Sequence, residues 1–142
     1  TGDTFAHARE TAKGAYTLVD AANGKPDVIF IATGSEVQLA VAAREQLAGE
    51  GIHARVVSVP CLEWFYEQPA AYQESVLPAA VKARVSIEAG LSLTWDKIVG
   101  STGRSVSIEH FGASADYKTL FTKFGITTDA AVAAAKESLA AQ

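Results

Sequence analysis

The sequence predicts an α/β fold of three layers, with helices on both faces of a mostly parallel sheet. Three observations carry that prediction. Val28–Ala32 is a continuous apolar run of one strand's length, rich in β-branched residues, and such a run suits a strand covered on both faces. Thr33-Gly34-Ser35 breaks that run and opens an amphipathic helix, after which Ala54–Val59 forms a second apolar strand closed by Pro60. Strand, helix and strand in this span make a βαβ unit, whose crossover is right-handed in nearly all cases. Strands and helices then keep alternating to the end of the chain, the pattern of a layered α/β domain.

Residues 1–14 show no clear period and read as a linker from a preceding domain, so the domain proper is expected over 15–142. Ala15–Val19 reads as the first strand. Asn23-Gly24 follows, a pair that often forms a tight hairpin turn, and by itself it would pair this strand with Val28–Ala32. Ser35 is a good helix N-cap with Gln38 three residues on, and Thr33 with Glu36 offers the same spacing two residues earlier. Leu39, Ala40, Ala43 and Leu47 make the apolar stripe of this helix, and Gly49 and Gly51 end it.

Beyond Pro60, Leu62, Trp64, Phe65, Tyr66 and Tyr72 crowd a short span. A helical turn is expected at Leu62–Tyr66 and a short helix at Ala70–Val76, stopped by Pro78. The aromatics are read first as core packing over the sheet edge, with a partner surface as the alternative. Ala83–Ala89 is the next strand. Ser92 or Thr94 can cap a short helix holding Trp95, Ile98 and Val99. Ser105–Phe111 is a further strand, Ser114 can cap a helix through Phe124, and Gly125 suits its C-terminal end. Thr128 is expected to cap a final helix with Val132, Ala135 and Leu139 on one face.

Composition narrows the functional classes. The chain has 142 residues, 49% hydrophobic and 20% charged, with a net charge of −4, which suits one domain with an ordinary core. The twelve Lys and Arg are scattered, so no basic stripe offers a nucleic-acid footprint. No apolar run approaches a membrane span, and no segment has signal-peptide anatomy. The single cysteine, Cys61, cannot form an internal disulfide, which fits a cytoplasmic location. A chain that opens Thr-Gly-Asp and has no methionine reads as a piece or processed product of a longer one.

The chemistry-bearing motifs are few. The isolated Cys61 and three dispersed His give no zinc spacing, and neither a GxSxG elbow nor a GxxxxGK[ST] loop is present. Thr33-Gly34-Ser35-Glu36 is half of a dinucleotide fingerprint, lacking the second and third glycines. Glu109 and His110 are adjacent on an expected strand and so point to opposite faces. No catalytic, cofactor-binding or metal-ligating residue is assigned.

One ordered set of motifs carries a family resemblance. The stretch ATGSEVQLAVAAREQLAGEGIHARVVSVP is followed by F-x-x-Q with Y-x-x-S-V-L-P, by EAG and W-x-K-x-V-G, and by FGASA with F-x-x-FGIT. In this order, from about Gly14 to the final helix, they resemble the C-terminal domain of transketolase. Asp116 stands where that family often has Pro, and Tyr66 and Pro69 stand where it commonly has acidic residues. The resemblance implies a five-stranded mixed sheet of order 1-3-2-4-5 with strand 1 antiparallel. That places strand 1 beside Ala54–Val59 and not in a hairpin with Val28–Ala32. It also implies a parent enzyme, a cytoplasmic homodimer of the pentose phosphate pathway. Such an enzyme uses thiamine diphosphate with magnesium or calcium to move two-carbon ketol units between sugar phosphates. The family's cofactor and catalytic residues lie upstream of this domain. This segment is therefore expected to be structural, in contact with the preceding domains and the dimer partner, with no cofactor of its own. A stand-alone α/β module for a small anion or nucleotide is the alternative.

That strand order leaves one crevice. Connections diverge between strands 2 and 4, and open α/β sheets bind ligands at such a point, beyond the carboxyl ends of the strands. Thr33, Gly34 and Ser35 would line it from strand 2, with Glu88, Ala89 and Gly90 from strand 4. Helix N–H groups after Ser35 would favour a negative charge, whereas the Glu88 carboxylate would repel one. Glu88 is accordingly expected to accept hydrogen bonds from the Ser35 region or from a partner subunit.

Overall fold

The computed structural model describes residues 12–34, 36–88, 96–107 and 127–142. The elements are β1 (Tyr16–Val19), β2 (Val28–Ala32), α1 (Glu36–Ala48), β3 (Ala54–Ser58), α2 (Leu62–Tyr66) and α3 (Ala70–Val76). After them come β4 (Arg84–Glu88), α4 (Asp96–Val99), β5 (Arg104–Ser107) and α5 (Thr128–Ala140). The architecture is mixed α/β, with β1-β3-β2-β4 hydrogen-bonded in that order and only β1 antiparallel. The four residues of β5 run parallel to β4 at the edge.

The hairpin suggested by Asn23-Gly24 does not form: β1 pairs with β3, Tyr16 opposite Ser58. The turn itself is present, with Gly24 at φ +74° and its N–H donated to the Ala21 carbonyl at 2.9 Å. It lies within a long connection and not between paired strands. β2 is apolar at every position and all five residues are fully buried. It gains most by taking a parallel neighbour on each side, β3 and β4, which excludes β1.

Alternation along β2 divides the core in two, as a period of two requires. Val28, Phe30 and Ala32 join Val56, Val85 and Ile87 under α1 and α5. Ile29 and Ile31 join Val57 and Val59 under Phe65 of α2, Val76 of α3, and Ile98 and Val99 of α4. α1 buries Glu36, Ala40, Ala43 and Leu47, a four-three-four spacing that keeps one face on the sheet. Gly51, at φ +79°, closes this helix: its N–H goes to Ala48 O, and the Ile52 N–H to Leu47 O. That is a Schellman cap with glycine at the left-handed position.

Several boundaries differ from expectation: β1 and β4 each begin one residue later, at Tyr16 and Arg84, and β3 ends one residue earlier, at Ser58. The N-cap of α5 is Thr127, not Thr128, because its hydroxyl accepts from the Ala130 N–H at 3.1 Å. β5 spans Arg104–Ser107, while the expected strand ran to Phe111; Ile108–Phe111 lie outside the described residues, as do the expected helix Ser114–Phe124 and Gly125. Ser138, fully buried on α5, donates to the Thr102 carbonyl at 2.7 Å and accepts from the Arg84 N–H at 3.2 Å. It thereby ties the last helix to the start of β4.

Candidate functional site

The crevice expected between β2 and β4 lies where the chain leaves the carboxyl end of β2. Ala32 pairs with Ile87 in parallel register, so Thr33 and Gly34 emerge level with the end of β4. Thr33 is half-buried and Gly34 is exposed at φ +55°. Only glycine takes that conformation without strain, and it allows an abrupt turn from strand to helix. Ser35, Ala89 and Gly90 lie outside the described residues. Of Glu88 the backbone alone is described, in β4 opposite Ser107. Of the six residues expected to line the crevice, Thr33 and Gly34 are thus described in full and Glu88 by its backbone.

Glu36, expected only as the far member of a Thr33 capping box, dominates this corner. Glu36 is 5% exposed, and its Oε2 lies 3.4 Å from the point where a Cβ on Gly34 would sit. The carboxylate therefore covers the first turn of α1, where the helix macrodipole favours negative charge. The Glu36 and Val37 N–H groups are already donated to the Thr33 and Gly34 carbonyls, at 3.1 and 3.3 Å. A built-in carboxylate with two N–H groups consumed repels an external anion and leaves it few donors. The Thr33–Glu36 capping-box spacing was the signal in the sequence; the burial of the carboxylate depends on what packs over it.

At the other end of the strands, Arg84 of β4 anchors a second polar centre. Its guanidinium donates to the carbonyls of Val81 at 2.9 Å, Ile98 at 2.8 Å, Pro78 at 2.9 Å and Leu77 at 3.3 Å. Burial lowers its pKa, and the nearby Glu74 carboxylate and Tyr66 work in the opposite direction. Tyr66 faces the same cleft, and burial raises its pKa while the Arg84 charge lowers it. The cleft has a volume of about 320 Å³ with Phe65, Leu77 and Ile98 among its walls. A neighbouring cleft of about 350 Å³ shares Arg84 and Ile98 and continues past Gly100 to Thr102.

Arg55 on β3 is a third charged group turned inward. It is 7% exposed and pairs with Asp20 at 2.8 Å, with its remaining N–H groups on the Ser75 and Val76 carbonyls. Arg44 donates to the Asp20 carbonyl at 2.7 Å, so both arginines clasp the connection that leaves β1. These contacts hold loops and helices to the sheet. Cys61 is half-buried at the N-cap position of α2. His53 ties to Asp27 through its backbone, and its buried Nδ1 has no hydrogen-bond partner; His7 and His110 lie outside the described residues. Among the described residues no three His, Cys, Asp or Glu gather as a metal-ligand set, and no helix is long and apolar enough to cross a membrane.

The aromatic cluster divides. Phe65 is buried and Tyr72 half-buried, its hydroxyl donated to the Ala15 carbonyl at 2.8 Å, whereas Trp64 and Tyr66 are 49% and 40% exposed. Core packing therefore accounts for two of these four rings and leaves two facing water.

Comparison with known proteins identifies the fold. A family model described as the transketolase-like C-terminal domain matches residues 14–127. A transketolase of Mycobacterium leprae is 57% identical over 131 residues, covering 90% of this chain and 19% of that protein. Transketolase 1 of Escherichia coli is 56% identical over 128 residues, with 90% and 19% covered. Among solved structures, transketolase from Leishmania mexicana superposes with a TM-score of 0.84 at 41% identity, covering 93% of this chain and 19% of that one. The chain spans about a fifth of the length of these relatives.

Proposed function

The chain belongs to the transketolase C-terminal domain family, and from that premise we propose that it is the C-terminal part of a transketolase. That enzyme transfers two-carbon ketol units between sugar phosphates in the pentose phosphate pathway, as a cytoplasmic homodimer. The observation that carries this reading is the family match across residues 14–127. The five-strand count and the three-layer α/β/α arrangement belong to the same reading. β5 beside β4, and helices over both halves of the core, support them.

Within such an enzyme this domain has a structural role. It supports the preceding domains and the dimer, and it supplies no catalytic group. Transketolases use thiamine diphosphate and a divalent metal, and the described residues of this chain do not fit that pair. No three-ligand acidic or His set is assembled among them. The described strand-to-helix turn at the switch point, after β2, has Glu36 over it, where a diphosphate would need open N–H groups. No step of the reaction is therefore assigned to residues of this chain.

The test has two arms. Calorimetric titration of this chain with thiamine diphosphate and magnesium is expected to give no saturable heat; saturable binding would show that the cofactor site is misplaced. A longer chain carrying this segment is expected to bind the cofactor and turn over a ketose phosphate with an aldose phosphate. Absence of that turnover would refute the enzymatic reading.

A further inference from the structure

We propose that the outer side of α2, with Trp64, Tyr66 and the Arg84 cleft beneath Tyr66, is the seat of the domain that precedes this one in the same polypeptide. The inference rests on the reading above that a longer transketolase chain carries this domain. It adds which surface is covered and by what.

Three observations point to that surface and that occupant. Trp64 and Tyr66 stand out as exposed large apolar side chains among the described residues. Successive helical residues diverge by about 100°, so turning Phe65 into the core leaves one ring on each side of it. Trp and Tyr in such positions are the residues that most often anchor interfaces. The second observation is the path of the polypeptide. The Gly14 carbonyl accepts from the Cys61 N–H at 2.9 Å, Tyr72 holds the Ala15 carbonyl, and Lys13 Nζ lies 4.8 Å from the centre of the Tyr72 ring. The first described residues are thereby fixed against α2 and α3. The third is length: the relatives hold about four-fifths of their chain outside the matched part. A body tethered at that point meets α2 at high effective concentration, without the cost of bimolecular association.

The cleft specifies what it accepts. Phe65, Leu77 and Ile98 make its apolar walls. The Arg84 guanidinium is committed to four carbonyls, and Glu74 lies close enough to act on its charge. An entering ion would meet opposed charges and few free donors, whereas an apolar or aromatic side chain buries surface at little electrostatic cost. The preceding domain is accordingly expected to insert such a side chain beside Tyr66.

Hydroxyl-radical labelling read by mass spectrometry tests the assignment on this chain and on the long chain that carries it. Labelling of Trp64 and Tyr66 is expected to fall at least fivefold in the long chain. Equal labelling in the two overturns the proposal. So does protection of this chain alone that grows with its concentration, which would assign the face to a second copy. The double substitution Trp64→Ser with Tyr66→Ser gives a second readout. It is expected to leave the melting of this chain nearly unchanged and to make the domain melt separately in the long chain; a loss of equal size in both overturns the docking. The two readings fail independently. Transketolase turnover by a long chain with Trp64 fully labelled refutes the docking alone, and a protected Trp64 without turnover refutes the enzymatic reading alone.

Discussion

Gly14→Ala should be among the most damaging single-methyl additions in this domain. Two separate effects meet at the residue. Gly14 has φ +84°, and a Cβ there would lie 2.3 Å from both the Cys61 carbonyl oxygen and the Phe65 nitrogen. Left-handed backbone costs an alanine roughly 1 kcal/mol or slightly more. The overlap is with backbone, so β1 or the first turn of α2 must move by about 1 Å, and overpacking of that kind costs about 3 kcal/mol at its upper end. The sum is about 4 kcal/mol, a large part of the 5–15 kcal/mol typical of a domain. Two other glycines separate the contributions. Gly51 has φ +79° with nothing within 4 Å of its would-be Cβ, so Gly51→Ala isolates the backbone effect and should cost about 1 kcal/mol. Gly103 lacks a positive φ, but its Cβ would lie 2.3 Å from the Val99 carbonyl oxygen, so Gly103→Ala isolates the overlap, about 3 kcal/mol. Urea denaturation followed by circular dichroism, with unchanged m values, measures all three. In thermal scans about 4 °C per kcal/mol puts Gly14→Ala about 15 °C below the parent chain. A Gly14→Ala loss no greater than that of Gly51→Ala would refute the close approach of β1 to α2.

Three further substitutions probe the polar and charged groups. Arg55→Ala removes the partner of Asp20 and leaves the Ser75 and Val76 carbonyls without their donor, which should cost about 3 kcal/mol. Asp20→Asn keeps an acceptor beside Arg55, and with Asp20 half exposed it should cost about 1 kcal/mol; equal denaturation midpoints for the two variants would reject Arg55 as the tie between β3 and α3. Tyr66 has a folded pKa raised above its ordinary value of 10.0, mainly by burial. The folded state therefore favours the neutral phenol, so this contribution is intact below the unfolded value and is lost as pH rises through the folded one. Midpoints should fall less steeply above about pH 10 in Tyr66→Phe than in the parent chain, and identical alkaline slopes would show that Tyr66 stays fully hydrated.

Local pattern alone identified most elements of the fold. Val28–Ala32 had to be a doubly covered strand, because five consecutive apolar residues can be buried only if both faces are. The spacing of Ala40, Ala43 and Leu47 placed α1 on the sheet, and Gly51 ended it. Strand order was different: Asn23-Gly24 by itself suggested a hairpin, and only the family resemblance placed β1 beside β3. Pairing is decided by which neighbours bury β2 on both edges, a comparison among distant segments that no local signal contains. The same limit applies to the candidate site. Gly34 was expected to turn sharply and does so at φ +55°, but the Glu36 carboxylate over it depends on tertiary packing. Ser138 carries no local signal of its tie to Thr102 and Arg84, which exists only once α5 packs there. The aromatic run around Phe65 carried two meanings in sequence, core and partner surface. Tertiary structure separated them, because a short helix docked through one ring must turn its neighbours outward.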